Sequence, residues 1–261
     1  VTDSPIPPLL AAENLTFRYP GAERDVLRGV DLSVGPGASL GLVGESGAGK
    51  STILSLLLGL QRPTGGRILV DGAPLDLSRP ASRLAYRRTV QTVFQDPYSS
   101  LDPRMRVGRS IAEPLRSLGI EPDARAREAR VAELLADVGL PADAATRYPN
   151  AFSGGQRQRI AIARALAAEP RVLLADEPVS ALDTSVRLQI IELLQRLARE
   201  RSLSLLLVSH DLTIVAALCE RMSVIESGRI VESGQTTDIL TAPSDPYTQR
   251  LIAAVPRLPS A

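Results

Sequence analysis

At 261 residues and 27.8 kDa the chain is long enough for one large domain, or for one domain carrying a subdomain. Hydrophobic residues make up 44% and charged residues 23%, an ordinary globular balance, and a formal net charge of +1 gives no electrostatic reason to expect nucleic acid as a partner. Cys219 is the only cysteine, which excludes an intrachain disulfide and an all-cysteine metal cluster. Apolar runs such as ILSLLLGL fall well short of the roughly 18 residues that a membrane span needs. The opening VTDSPIPPLL lacks the basic start and apolar core of a secretory signal. The expectation is a cytosolic chain, peripheral if it serves a membrane.

In chain order, the first 36 residues read as β-strands joined by turns, LLAAENLTFRY and VLRGVDLSVGPG, so an antiparallel β edge is expected near the N-terminus. A continuous apolar strand follows at 39–43 and a helix at 50–59. From about 97 to 170 the strand signal stops. RSIAEPLRSLG, ARAREARVAELLADVGL and GGQRQRIAIARALAAE all read as helices, which predicts an inserted helical subdomain. Buried strands return at 172–175 and 203–209, on either side of a helix at 186–201. After Gly228 come a short strand and a helix-like tail, DPYTQRLIAAVP, closed by proline. Strands alternating with helices predict an α/β fold with a mostly parallel sheet. The organisation expected is a main domain over 1–235, its helical subdomain at about 97–170, and a short tail over 236–261.

GESGAGKST runs from Gly44 to Thr52 (Gly44, Glu45, Ser46, Gly47, Ala48, Gly49, Lys50, Ser51, Thr52) and fits the full P-loop pattern between a strand and a helix. Glycines let successive N–H groups point inward at phosphate oxygens, and the following helix adds its partial positive charge. Lys50 is the only lysine in the chain; every other positive charge is an arginine. A compact ammonium on a thin stem reaches the β- and γ-phosphates of a nucleotide through a narrow loop, where arginine's planar fork demands another geometry.

RVLLADEP, residues 171–178, is a buried strand ending in two carboxylates. Asp176 is placed to hold Mg²⁺ as a Walker-B aspartate does, and Glu177 is free to orient or deprotonate an attacking water. Further on, Ser153, Gly154, Gly155 and Gln156 open a helix. Alone, they read as a plain N-cap or as a second anion site. One P-loop has no use for a second phosphate cradle in the same chain, so an anion site here would serve a nucleotide held by another subunit.

With these stretches in place, the chain resembles an ABC-type ATPase subunit over nearly its whole length. SGGQ resembles that family's signature motif and SALD, with Asp183, its D-loop. VFQD with Gln95 resembles the Q-loop, VSHD with His210 the H-loop, and Tyr19 in FRYP the aromatic that stacks on adenine. Phe152 stands where leucine is common. The resemblance implies ATP and Mg²⁺ as cofactors. Ser51, Gln95 and Asp176 would hold the metal, and Glu177, His210 and Gln95 would act in catalysis. Residues 153–156 would contact the ATP of a second, related ATPase subunit closing head to tail.

A narrower similarity, in VFQDPYSSLDPRMRVG, SIAEPL, YPNAFSGGQRQRIAIARAL and SDPYTQRLIAAVP, is to the oligopeptide, dipeptide and nickel importer branch. It implies two transmembrane permease subunits, an extracytoplasmic solute-binding protein, no nucleic acid, and a place at the cytoplasmic face of the cell membrane. The alternative is a soluble, non-transport ABC protein acting on ribosomes or DNA. Ribosome-associated members usually fuse two cassettes and DNA-repair members split theirs with a long coiled coil; this sequence reads as one cassette and sustains no heptads, so transport is the expectation.

Overall fold

The computed structural model describes residues 7–254. The chain divides into two compact units, one built from the residues up to Leu75 with those from Ser204 onward, the other from Asp76–Leu203. The first stretch carries β1 (Leu10–Phe17), β2 (Leu27–Val34), β3 (Ser39–Val43), α1 (Lys50–Leu57), β4 (Gly65–Val70) and β5 (Ala73–Pro74). The second unit carries α2 (Pro80–Thr89), β6 (Val90–Val93), α3 (Pro97–Ser100), α4 (Val107–Ser117), α5 (Ala124–Asp137), two 3₁₀ turns at Ala142–Thr146 and Pro149–Ala151, α6 (Gly154–Leu166), β7 (Val172–Asp176) and α7 (Thr184–Glu200). The chain then returns to the first unit with β8 (Ser204–Ser209), α8 (Leu212–Leu218), β9 (Arg221–Glu226), β10 (Arg229–Gln235), α9 (Thr236–Thr241) and α10 (Pro246–Ala253).

In the first unit β3 lies between β8 and β9, parallel to both, with Val43 opposite Ser209 on one side and Val224 on the other. Its sequence SLGLV is buried almost throughout, and β8, SLLLVS, is buried at every position, which is why both read as continuous apolar runs. β9 turns back into β10 through Ser227 and Gly228, both at positive φ, the backbone a tight hairpin demands.

The N-terminal strands pair antiparallel, as their sequence predicts, but they do not edge the parallel strands. β1 is flanked by β2 and β4 in a four-stranded antiparallel sheet in the order β2-β1-β4-β5. The pairing with β4 is made by GGRILV, some fifty residues downstream, and it needs Gly66. A Cβ there would meet the Asn14 carbonyl oxygen at 2.2 Å, at a bulge where Asn14 itself has φ 48. The antiparallel partner of the parallel set is instead β10.

In the second unit β6 and β7 run parallel, Val93 opposite Ala175, and the stretch between them is helical among the described residues. α6 is its hub, packed against α3, α4, α5, α7 and β6. Buried on several sides, it shows no single apolar stripe, and its arginines reach outward to nearby carbonyls. Arg157 Nε donates to Pro149 O at 2.8 Å while its guanidinium lies 4.0 Å over the Tyr98 ring, and Arg159 donates to Val138 O at 2.6 Å. Such hydrogen bonds satisfy loop carbonyls that no regular element would. The tail forms α9 and α10; Pro256, expected to close it, lies outside the described residues.

α8 covers β3 so closely that a Cβ on Gly41 would sit 2.3 Å from Val215 Cγ1. Valine is stiff at χ1, so it has little room to yield. Gly41→Ala should therefore cost about 1–3 kcal/mol in urea denaturation, the range for overpacking. The double variant with Val215→Ala should recover most of that loss. Additive losses would show that close packing of α8 is not what requires the glycine.

Candidate functional site

The loop Gly44–Thr52 begins where β3 leaves the sheet. Gly44 is excluded from carrying a side chain, since a Cβ would lie 2.3 Å from the Ile225 carbonyl oxygen on β9. At the other end Gly49 caps α1 in a left-handed conformation, φ 112, and a Cβ there would meet Leu27 Cδ2 at 2.7 Å. Between them the chain curls back, with Ala48 N–H donating to Glu45 O at 3.2 Å. Lys50 is only 8% exposed, and its Nζ donates to Gly44 O at 2.6 Å and Glu45 O at 2.8 Å. An arginine here would have to seat a larger planar fork in the same nearly closed space, where the compact ammonium fits. α1 has no acidic residue in its first turn to offset the positive potential of its N-terminus.

Two other predicted residues fall beside this loop in the first unit. Tyr19 packs edge-on to Phe17 at 4.8 Å, and its hydroxyl lies 3.2 Å from Thr52 Oγ1. It stays 40% exposed, which leaves ring surface for a planar ligand. His210 directly follows β8, and because Val43 and Ser209 are opposite each other, Gly44 and His210 leave adjacent parallel strands at the same edge. His210 is exposed, and the turn that carries it is pinned on both sides. Asp211 N–H donates to Ser209 Oγ at 3.0 Å, and the Asp211 carboxylate caps α8 through Thr213 N–H at 2.9 Å. The sequence reading missed Tyr247 on α10, whose hydroxyl accepts the Glu45 amide N–H at 3.0 Å.

The second unit gathers Gln95, Asp176 and Glu177 in the same way. β6 and β7 are parallel neighbours, so the two residues past Val93 and the end of β7 share one edge. Gln95 Nε2 donates to Glu177 Oε2 at 3.1 Å. Asp176 is the last residue of β7, half-buried. Glu177 adopts φ 43, a left-handed backbone that costs a non-glycine residue about 1–2 kcal/mol. Ser180 holds that turn, its N–H and Oγ donating to Glu177 O at 3.2 and 3.1 Å. A strained carboxylate secured at both its carbonyl and its side chain is an oriented one.

The signature stretch is stitched to the D-loop. Ser153 and Gln156 form a reciprocal capping box, with Gln156 N–H donating to Ser153 Oγ at 3.4 Å and Ser153 N–H to Gln156 Oε1 at 3.0 Å. A Cβ on Gly155 would fall 2.2 Å from Val186 Cγ1, and one on Gly154 3.4 Å from Leu182 Cδ2. Hence α6 starts in contact with the first turn of α7. That turn is capped by Asp183, whose carboxylate accepts from Val186 N–H at 3.0 Å and Ser185 Oγ at 2.9 Å. Those hydrogen bonds hold the Asp183 carboxyl below its ordinary range.

Comparison with known proteins matches residues 27–180 to the family described as ABC transporter. The chain is 47% identical over 258 residues to the glutathione import ATP-binding protein GsiA of Escherichia coli strain K12, and equally to that of Shigella flexneri. The match takes 95% of this chain but 41% of the relative, so the chain spans about two fifths of the length of these proteins. Among solved structures, cbiO1 of Clostridium perfringens, part of the ABC transporter complex cbiONQ, superposes with a TM-score of 0.81 at 28% identity. That likeness covers 90% of this chain and 91% of the other. An ATP-binding cassette solved as a dimer in a post-hydrolysis state with ADP and phosphate gives 0.77 at 31% identity, over 87% and 98% of the two chains. With its P-loop strand beside the His210 strand, and with the signature helix packed on the D-loop, the chain belongs to the ABC transporter family, as one of its ATP-binding domains.

Proposed function

We propose that the chain binds ATP with Mg²⁺ and hydrolyses it, as the nucleotide-binding subunit that powers a membrane importer for peptides or a related small solute such as nickel or a metal chelate. The observation that carries this reading is the sole lysine, seated on the carbonyls of Gly44 and Glu45 inside a loop whose two ends, Gly44 and Gly49, leave no room for a side chain. Tyr19 stacks on adenine, and the N–H groups of the loop and of α1's first turn receive the phosphates. Ser51, Asp176 and Gln95 would hold Mg²⁺ through their side-chain oxygens, the hard ligands that this ion takes. When bound it neutralises charge on the phosphate oxygens.

Glu177, oriented by Gln95, takes the proton of a water whose oxygen bonds to the γ-phosphorus as the bond to the ADP oxygen breaks. His210 donates to a γ-phosphate oxygen where charge develops. Ser153, Gly154, Gly155 and Gln156, with Asp183, face the nucleotide of a partner. The partner is a second, related ATPase, and closure of the pair drives two transmembrane permeases fed by an extracytoplasmic binding protein. No helix among the described residues is long and apolar enough to cross a membrane, which fits a peripheral subunit at the cytoplasmic face. The relatives named for glutathione import and the neighbour solved as a dimer with ADP and phosphate support the solute class and the pairing.

Lys50→Arg keeps the charge but not the fit, and should abolish phosphate release and weaken ATP binding. Near-normal turnover would refute the account of the lone lysine.

Glu177→Gln should still bind MgATP but release phosphate at least ~100-fold more slowly. It should also accumulate as an ATP-bound dimer on size exclusion, with itself or with its partner ATPase. A monomer under those conditions rules out closure.

Ser153→Asp retains an acceptor for the α6 cap while setting a carboxylate where a partner's γ-phosphate docks. MgATP affinity of the isolated chain should stay unchanged and ATP-driven dimerisation should be lost. A dimer that still forms contradicts the role in trans.

A further inference from the structure

The C-terminal segment reads in sequence as a short tail beyond the ATPase domain, yet one of its side chains reaches the nucleotide loop. Tyr247, in the first turn of α10, is 5% exposed, and its hydroxyl accepts the Glu45 amide N–H at 3.0 Å. The same residue's carbonyl accepts from Lys50 Nζ and from Ala48 N–H. Glu45 is therefore held on both faces of its backbone, by the loop's lysine on one and by the tail's phenol on the other.

The placement of Tyr247 is itself secured. Glu232 on β10 accepts from Ser244 N–H and Ser244 Oγ, each at 2.8 Å, and from Asp245 N–H at 3.2 Å. Although burial opposes ionisation, these donors pull the Glu232 carboxyl down to about 2, so the anchor stays charged at neutral pH. Asp245 then caps α10 through Tyr247 N–H at 2.7 Å and Thr248 N–H at 3.4 Å. On the far side Arg250 pairs with Glu226 at 3.4 Å, at the end of β9. β9 is also the strand whose Ile225 carbonyl excludes a side chain from Gly44. The line from β10 through Glu232, α10 and Tyr247 thus ends on the first residue after Gly44, and the hairpin that carries it also walls the loop.

We infer that Tyr247 is a positioning residue for nucleotide binding, its hydroxyl fixing the entrance limb of the Gly44–Thr52 loop so that the loop is already ordered when phosphate arrives. The inference rests on the ATP-binding reading above. A loop without this restraint has to be ordered by the ligand, and that ordering is subtracted from affinity. Because the loop cradles substrate and product alike, the effect falls on binding of both rather than on the chemical step.

Tyr247→Phe in the full chain removes the hydroxyl and keeps the buried ring. The dissociation constants for MgATP and MgADP should both rise about three- to tenfold, the range of one net hydrogen bond. The loss in kcat/KM should appear in KM, with kcat at saturating ATP retained. Hydrogen exchange at the Glu45 amide should quicken locally, while the melting temperature of the nucleotide-free protein falls by no more than the roughly 2–4 °C that one hydrogen bond supports. Unchanged nucleotide affinity in the variant overturns the inference. So does a weakened affinity accompanied by quickened exchange across the whole unit rather than at the loop, since that describes a merely structural tyrosine. A wild-type chain with no affinity for MgATP overturns the ATP-binding reading as well, whereas a wild type that binds with a variant that binds equally overturns this inference alone.

Discussion

An ammonium group buried among backbone carbonyls needs a loop that curls tightly around it, and that requirement organises the first unit. Lys50 reaches Gly44 O and Glu45 O only because the chain curls back between Gly44 and Gly49. Neither glycine has space for a Cβ, one facing the Ile225 carbonyl and the other the Leu27 side chain. The strands that crowd them are therefore part of the loop's specification. β9 supplies Ile225, β2 supplies Leu27, and Gly228 N–H in the β9–β10 turn donates to Ala48 O at 3.0 Å. The loop is walled by elements that lie far apart in sequence, so its shape depends on the fold around it as much as on its own glycines.

The second unit answers a different constraint, the left-handed turn that ends β7 at Glu177. Glu177 follows a buried parallel strand and turns at once into a left-handed conformation, with Ser180 closing the turn and Gln95 holding the side chain. Parallel pairing of β6 with β7 sets Gln95 at the right level, because both strands end at the same edge. The close approach of Gly155 to Val186 brings the start of α6 and the first turn of α7 together. Helix caps recur throughout this unit. Asp123, Ser153 and Asp183 each accept an N–H three residues on, satisfying donors that helices leave open.

Arginine carries every positive charge but one, and the structure puts several of these side chains to work inside the helical unit. Arg88, Arg157, Arg159, Arg164 and Arg196 all donate to backbone carbonyls at the ends of helices or in the turns between them. A fork of several donors suits carbonyls that lie close together, while a point charge suits the phosphate loop. By contrast, exposed ion pairs such as Arg67 with Glu13 sit in solvent and add little to stability.

Local chemistry was legible in the sequence wherever one short stretch carries both the strand and the turn that ends it. The P-loop, the DEP turn at Asp176 and Glu177, the SGGQ helix start and the segments at β3, β7 and β8 all have this form. Each is recognisable because apolar continuity and glycine placement are local properties. Distant pairing was hidden. The antiparallel sheet that β1 forms with β4 depends on Gly66 fitting over a bulge at Asn14, and nothing in either segment names the other. The link between Gln95 and Glu177 spans 82 residues, and the one between Glu45 and Tyr247 spans 202. An aromatic near the end of a tail looks like packing until the tail is folded. The residue types, and hence the chemistry available, were determined by the sequence alone. Which partners the side chains meet was decided only by tertiary structure, by the register of neighbouring strands and by the docking of α10 on β10, because both are set by the packing of whole faces.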